Sequence, residues 1–238
     1  MTSTTDWTEI VKPGLRYREQ EGILVSEKAP EILGPNRKYQ RLYDKLANVY
    51  DFGEIIYAGV LHGGRDSARH DLLEPLVIKS GDRVLEVSIG TGINLRYLPA
   101  DAEYFGLDIS WKMLKRTRRN LPKWNRQATL FHGIGEDLPF RDGVFDVVYH
   151  IGGVNFFNDP RQAVQEMIRV ARPGAIVLFG DETDKMVREV YARAPLAGKQ
   201  FRGGEKLPSP LTWLPANVKP RYQIILKGNF YIVDFVKP

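Results

Sequence analysis

An α/β architecture, a mainly parallel sheet with helices on both faces, is predicted by three features of these 238 residues. From residue 83 to 181, short β-branched and aromatic runs alternate with segments of helical periodicity, the pattern of parallel strands joined by helical crossovers. One of these runs, 83–87, carries an acid at Glu86 and passes directly into a turn with alternating glycines, Ser88-Ile89-Gly90-Thr91-Gly92. The chain ends in two β-rich runs, 222–226 and 230–236, joined by Lys227-Gly228-Asn229, a hairpin signal.

The elements follow in order. Residues 1–36 are mixed in character and broken by Pro13-Gly14, Pro30 and Gly34-Pro35, so they read as an extension with short elements at 9–11 and 23–25. Residues 37–238 read as one domain. Over 37–52, Tyr39, Leu42, Tyr43, Leu46, Val49 and Tyr50 fall at i, i+3, i+4, i+7 spacing and predict an amphipathic helix. A second helix is expected over 66–76. Strands follow at 83–87 and 103–108, with a helix starting over 94–98 between them. A helix over 111–120, strands at 128–133 and 144–150, a helix over 160–170 and a strand at 175–181 complete the alternation. The stretch 194–219 breaks it with Pro195, Gly198, Gly203-Gly204, Pro208, Pro210 and Pro215 around Leu211, Trp213 and Leu214. A long irregular stretch inside a compact domain is usually functional or disordered, and the reading adopted is a substrate-side cover.

Composition excludes several chemistries. The chain has no cysteine, so disulfides, thiolate metal sites and thiol nucleophiles are out. Its four histidines include no metal-ligand pair, and no metal is expected. No apolar run approaches the roughly 20 residues of a membrane span, and the N-terminus lacks an apolar signal core; a cytoplasmic enzyme is the expectation. The formal charge of +5 permits attraction to anionic surfaces, peripheral membrane contact among them. Lys115, Arg116, Arg118, Arg119, Lys123 and Arg126, with Trp111 and Trp124, form a basic cluster on an exterior helix. It reads as a solvated face, and nucleic acid is not an expected partner. The oligomeric state is left open.

The turn at 88–92 defines the ligand. Gly90 and Gly92 let backbone approach a bound molecule closely. From Glu86 to Asp108 is 108 − 86 = 22 residues, about the spacing at which a βαβ unit sets a carboxylate on a ribose. The third glycine of the dinucleotide fingerprint is missing, which disfavours a nicotinamide dehydrogenase. Glu86, placed before the glycines, would repel a pyrophosphate but accept a bond from an ammonium. The pattern suits an amino-acid tail joined to a ribose.

Five ordered segments carry a resemblance: Tyr43-Asp44 with Tyr50-Asp51; Val84 to Gly92; Gly106-Leu107-Asp108-Ile109-Ser110 with Met113-Leu114; Glu136-Asp137-Leu138-Pro139-Phe140 with Phe145-Asp146-Val147-Val148; and Glu166 with Arg169-Val170-Ala171-Arg172-Pro173-Gly174. In this the sequence resembles the class I S-adenosylmethionine-dependent methyltransferases, nearest the ubiquinone and menaquinone C-methyltransferase branch. The resemblance implies a Rossmann-like fold with a seven-stranded sheet closed by a C-terminal antiparallel hairpin, and S-adenosyl-L-methionine as cofactor. It implies cofactor contacts from Tyr50, Glu86, Ser88, Gly90, Gly92, Asp108, Ile109, Gly135, Glu136 and His150. His150 and Asn155, at the end of a central strand, are the catalytic candidates, with His150 as base or as a cofactor contact. Two departures stand out. Ser88 occupies a position where the family usually has glycine, and Ile134 one where it often has the Asp or Asn that holds the adenine amine. The expected function is methyl transfer to a small or amphipathic organic acceptor through carbon, oxygen or nitrogen. The alternative is a non-catalytic module that binds S-adenosylmethionine or S-adenosylhomocysteine.

Overall fold

Strand β3, Arg83–Val87, is the middle of a nine-stranded sheet with the order β1-β2-β5-β4-β3-β6-β7-β9-β8. The structure is a computed structural model that describes residues 7–28, 32–46, 65–189 and 207–238. The other strands are β1 Tyr17–Gln20, β2 Ile23–Ser26, β4 Glu103–Asp108, β5 Thr129–His132, β6 Phe145–Ile151, β7 Ala171–Glu182, β8 Arg221–Ile225 and β9 Phe230–Val236. The five from β5 to β7 run parallel, and the hairpin β8–β9 closes the sheet antiparallel against β7. Helices α1 Gly34–Leu46, α2 Arg65–Leu73, α3 Trp111–Asn120, α4 Pro160–Val170 and α5 Asp184–Glu189 accompany it.

Strand alternation sends successive side chains to two cores. Leu85, Val87, Phe105 and Leu107 join Val164 and Met167 of α4 on one face. Val84, Tyr104 and Tyr149 join Leu72 and Leu73 of α2 and Leu114 of α3 on the other. Helices therefore cover both faces, and each central strand is buried on both sides.

The structure adds two strands to the seven expected. The hairpin β1–β2 sets β2 parallel to β5, with Leu24 opposite Phe131. Ile10 and Val11 are buried, and Arg141 N donates to the Ile10 carbonyl at 2.8 Å. The segment after the glycine turn also differs from expectation. It is one 3-10 turn, Ile93–Arg96, and not an α-helix. Pro99 disfavours a helical conformation at Leu98, so too few residues remain after Gly92 to propagate a helix. Tyr50 lies outside the described residues, and so does all of 194–206. Within 207–219, Trp213 is 6% exposed and joins the core beside Phe179.

Candidate active site

The carboxyl ends of β3, β4 and β6 surround a cavity with an empty volume of about 870 Å³, open mouth included. That size lies within the roughly 300–1,000 Å³ of small-molecule sites. It sits where parallel sheets bind ligands, beyond the strand ends at the reversal of strand order.

Glu86, 2% exposed, lies at one side of the cavity. Asn94 Nδ2 donates to its Oε1 at 2.5 Å and Tyr149 Oη donates to its Oε2 at 2.8 Å. Arg69 of α2 donates from Nη1 to Asn94 Oδ1 at 2.8 Å and also lines the cavity. Burial pushes the Glu86 carboxyl up to about 8, against the opposing pull of the Tyr149 and Asn94 bonds and the Arg69 charge. A ligand cation replacing the missing solvent would return it to the ionised form.

Asp108 faces the same cavity. Its Oδ2 accepts from Gly90 N and its Oδ1 from Ser110 N, both at 2.8 Å. Burial raises it to about 6, with the backbone donors opposing. The turn between the two acids is held from behind by α3. Thr117 Oγ1 donates to the Gly90 carbonyl at 2.6 Å, and Asn120 Nδ2 to that of Thr91 at 3.1 Å. Gly92, at φ 76°, backs onto this helix: a Cβ there would lie 2.7 Å from Thr117 Cγ2. Ser88 adopts φ 59°, the left-handed region that its usual glycine counterpart enters without strain. Thr91 Oγ1 is buried in the cavity wall with no partner among the described residues.

On the far side, Ile109, Gly133, Ile134, Gly135 and Glu136 form the wall. A Cβ on Gly135 would meet Phe157 Cε2 at 2.9 Å, so glycine there permits close packing of the wall. Glu136 Oε1 accepts from Asn36 Nδ2 and from Asn158 N, each at 2.9 Å. Its Oε2 is buried and without a partner among the described residues.

Of the residues expected from sequence, Glu86, Ser88, Gly90, Asp108, Ile109, Gly135 and Glu136 line one cavity, and Gly92 braces its turn. His150, expected as a base or a cofactor contact, and Asn155 are not among the residues that line it. The His150 ring is fully buried, with Nδ1 2.8 Å from the Val87 carbonyl and its face against Phe157, which does line the cavity. Burial lowers it to about 4. The ring is neutral, and its Nε2 is buried without a partner among the described residues. Asn155 is turned outward from the cavity: Nδ2 donates to the Glu182 carbonyl at 3.2 Å and Oδ1 accepts from Tyr231 Oη at 3.3 Å. Its backbone N and that of Gly153 donate to buried Asp181, which fixes the Gly152–Gly153 bend at the rim.

Sequence reasoning missed Asn36, Arg69, Thr91 and Asn94. Asn94 had a signal, a lone polar residue between Ile93 and Leu95 directly after the turn. Thr91 lies inside the turn already read from sequence, and Asn36 and Arg69 reach the cavity only through packing of helices on the sheet. Among the described residues no cluster of His, Asp or Glu is arranged to hold a metal ion.

The chain is an α/β protein with an acid–glycine-turn–acid crevice at the reversal of its parallel sheet. Comparison with known proteins agrees. A methyltransferase-domain family model matches residues 85–179. The demethylmenaquinone methyltransferase of Shouchella clausii is 30% identical over 177 residues, 69% of this chain and 75% of that protein. The phthiotriol/phenolphthiotriol dimycocerosates methyltransferase 1 of Mycobacterium ulcerans is 37% identical over 107 residues, 43% of this chain and 38% of that protein. A SAM-dependent methyltransferase of Thermotoga maritima shares the fold at a TM-score of 0.62 and 17% identity, over 84% of this chain and 99% of that one. The chain belongs to the class I S-adenosylmethionine-dependent methyltransferase family, near the menaquinone branch. It spans 55–75% of the length of the first four demethylmenaquinone methyltransferases it matches.

Proposed function

We propose that this protein binds S-adenosyl-L-methionine in the cavity and catalyses transfer of its methyl group to a small, lipid-like organic acceptor. One observation carries the reading: two buried acids, Glu86 and Asp108, face one cavity from either side of a glycine turn. The residues present fit the cofactor. Glu86 accepts from the ammonium, and Arg69, beside it, is placed for the carboxylate. Asp108 accepts from the ribose hydroxyls, while the unpartnered Thr91 hydroxyl supplies a further polar contact.

The cofactor supplies an electrophilic sulfonium methyl. The chain's task is alignment and desolvation, which are large levers: effective molarities reach about 10⁵–10⁸ M in well-oriented reactions. Ile151, Gly152, Gly153 and Phe157 form the wall at the end of β6. They present apolar side chains and bare backbone, a surface suited to an apolar acceptor. A lipid-like acceptor is also supported by the relatives named for demethylmenaquinone and for dimycocerosates.

Titration calorimetry with S-adenosylhomocysteine, followed by transfer of labelled methyl from the cofactor to a demethylated prenyl quinol, tests the proposal. Binding together with label in the extracted lipid supports it. Binding with no transfer to that quinol or to a cellular lipid extract points to the non-catalytic module, and no binding by folded protein ends the reading.

A further inference from the structure

Ile134 lines the cavity without any hydrogen-bonding side-chain atom, at the position where related sequences often hold the adenine amine. Two residues later, Glu136 lines the same cavity, and its Oε2 is buried and unbonded among the described residues. An acceptor removed from water without a donor is an expensive arrangement, and a ligand N–H relieves it.

The orientation of that oxygen is fixed. The donors to the Glu136 carboxylate, Asn36 Nδ2, Asn158 N and, at 3.5 Å, Asp159 N, all converge on Oε1 and leave Oε2 as the oxygen without a donor. The donors are themselves locked by reciprocal bonds. Asn36 N donates to Asn158 Oδ1 at 3.0 Å, and Asn158 N also meets Asn36 Oδ1 at 3.2 Å. Asn158 Nδ2 ties to the Leu33 carbonyl at 3.0 Å. Asn36, at the start of α1, is 5% exposed, while Asn158, in the loop before α4, is exposed. In the cavity Ile134, Ile109, Met113 and Phe157 give the flat apolar walls that a purine needs.

We infer that Glu136 Oε2 accepts the exocyclic amine of the adenine ring, in the role left vacant at Ile134, and that Asn36 is the positioning residue that aims it. The inference rests on the proposed cofactor, and its test separates the two. Calorimetry compares S-adenosylhomocysteine with S-inosylhomocysteine, in which a 6-oxo group replaces the amine. A site built to accept a hydrogen bond rejects an analogue that presents another acceptor. Wild-type protein is expected to prefer the adenosyl ligand tenfold or more.

In Glu136→Gln the converging donors hold the amide oxygen at the Oε1 place, which sets the NH₂ at the Oε2 place. The adenosyl preference is then lost or inverted. Asn36→Ala lowers the preference part of the way, with unchanged secondary structure by circular dichroism. Equal wild-type binding of both ligands overturns the inference while leaving the cofactor reading intact, and this readout needs no variant to fold. A preference that survives in Glu136→Gln overturns it as well, and an unchanged ratio in Asn36→Ala removes Asn36 from the role. Binding of neither ligand ends the inference together with the proposed function.

Discussion

With the proposed cofactor, Glu86 would couple protonation to binding. Its carboxyl, raised from 4.5 to about 8 by burial, is mostly protonated at pH 7 in the ligand-free protein. Accepting a bond from an ammonium requires the ionised form, so binding at pH 7 releases a proton. Affinity for S-adenosylhomocysteine should rise between pH 6 and pH 8, and the calorimetric enthalpy should change with the ionisation heat of the buffer. The sign for stability is the reverse. An acid whose folded pKa is raised binds more protons folded than unfolded between about pH 4.5 and 8, so its contribution to ligand-free stability falls as pH rises through that window. Asp108, raised to about 6, acts the same way over a lower and narrower range. Glu86→Gln should flatten this dependence in denaturant titrations. It should also weaken ligand binding about 10–100-fold, the scale of losing one charge-assisted hydrogen bond of about 1.5–3 kcal/mol. Both acids were legible in the sequence because each sits at a strand end whose position follows from chain order. Arg69 and Asn36 were not, because a helix's lateral placement on a sheet is set by packing and leaves no local spacing to read.

Arg169 shows how one side chain can hold an element in place. From α4 it donates to both oxygens of Glu166 at 2.6 and 2.7 Å, to the Phe140 and Leu138 carbonyls at 2.7 and 3.0 Å, and to Asp142 at 2.7 Å. Glu166 in turn accepts from Leu138 N at 2.8 Å. Residues 136–142, which follow the Ile134–Gly135 wall, are thereby stapled to α4. Arg169→Ala strands a nearly buried carboxylate and two carbonyls, and should cost about 2–4 kcal/mol by chemical denaturation. Arg169→Lys should recover less than half of that, since an ammonium lacks the planar fork. If stability falls by less than 1 kcal/mol, the staple is not what holds the loop. The strand–helix alternation and the C-terminal hairpin were readable from periodicity and turn chemistry. The docking of β2 onto β5 was not: Ile23-Leu24-Val25 is a strand candidate without any local mark of its partner. The α-helix expected after Gly92 failed because Pro99 limits it, a stop signal present in the sequence but outweighed by the likeness to a βαβ unit.

At the scale of the molecule, charge is placed unevenly. Helix α3 carries Lys112, Lys115, Arg116, Arg118 and Arg119 with no acid, and α1 beside it carries Arg37, Lys38 and Arg41. Asp44 of α1 is spent on Ser110 Oγ at 2.6 Å, and Lys115 is paired with Glu21 at 2.9 Å. Not all of the basic residues singled out in sequence are surface charge. Arg126 is an internal staple, donating to the Leu95 and Leu98 carbonyls at 2.8 and 3.0 Å. Asn36, Tyr39 and Met113 from these two helices line the cavity, so the basic surface flanks the site. A lipid-like acceptor resides in a bilayer, and no helix among the described residues is long and apolar enough to cross one. Surface attraction would be one route to it, worth about 1 kcal/mol for each Lys or Arg near an anionic leaflet and screened within a Debye length. The protein should sediment with vesicles containing phosphatidylglycerol at low salt, release at about 0.5 M salt, and ignore purely zwitterionic vesicles. Charge reversal at Lys112, Arg118 and Arg119, all exposed and none of them in the cavity wall, should weaken sedimentation tenfold or more while leaving S-adenosylhomocysteine affinity unchanged. Equal binding to charged and neutral vesicles would instead assign the contact to apolar insertion, and no binding at low salt would leave the basic face as a solvated surface.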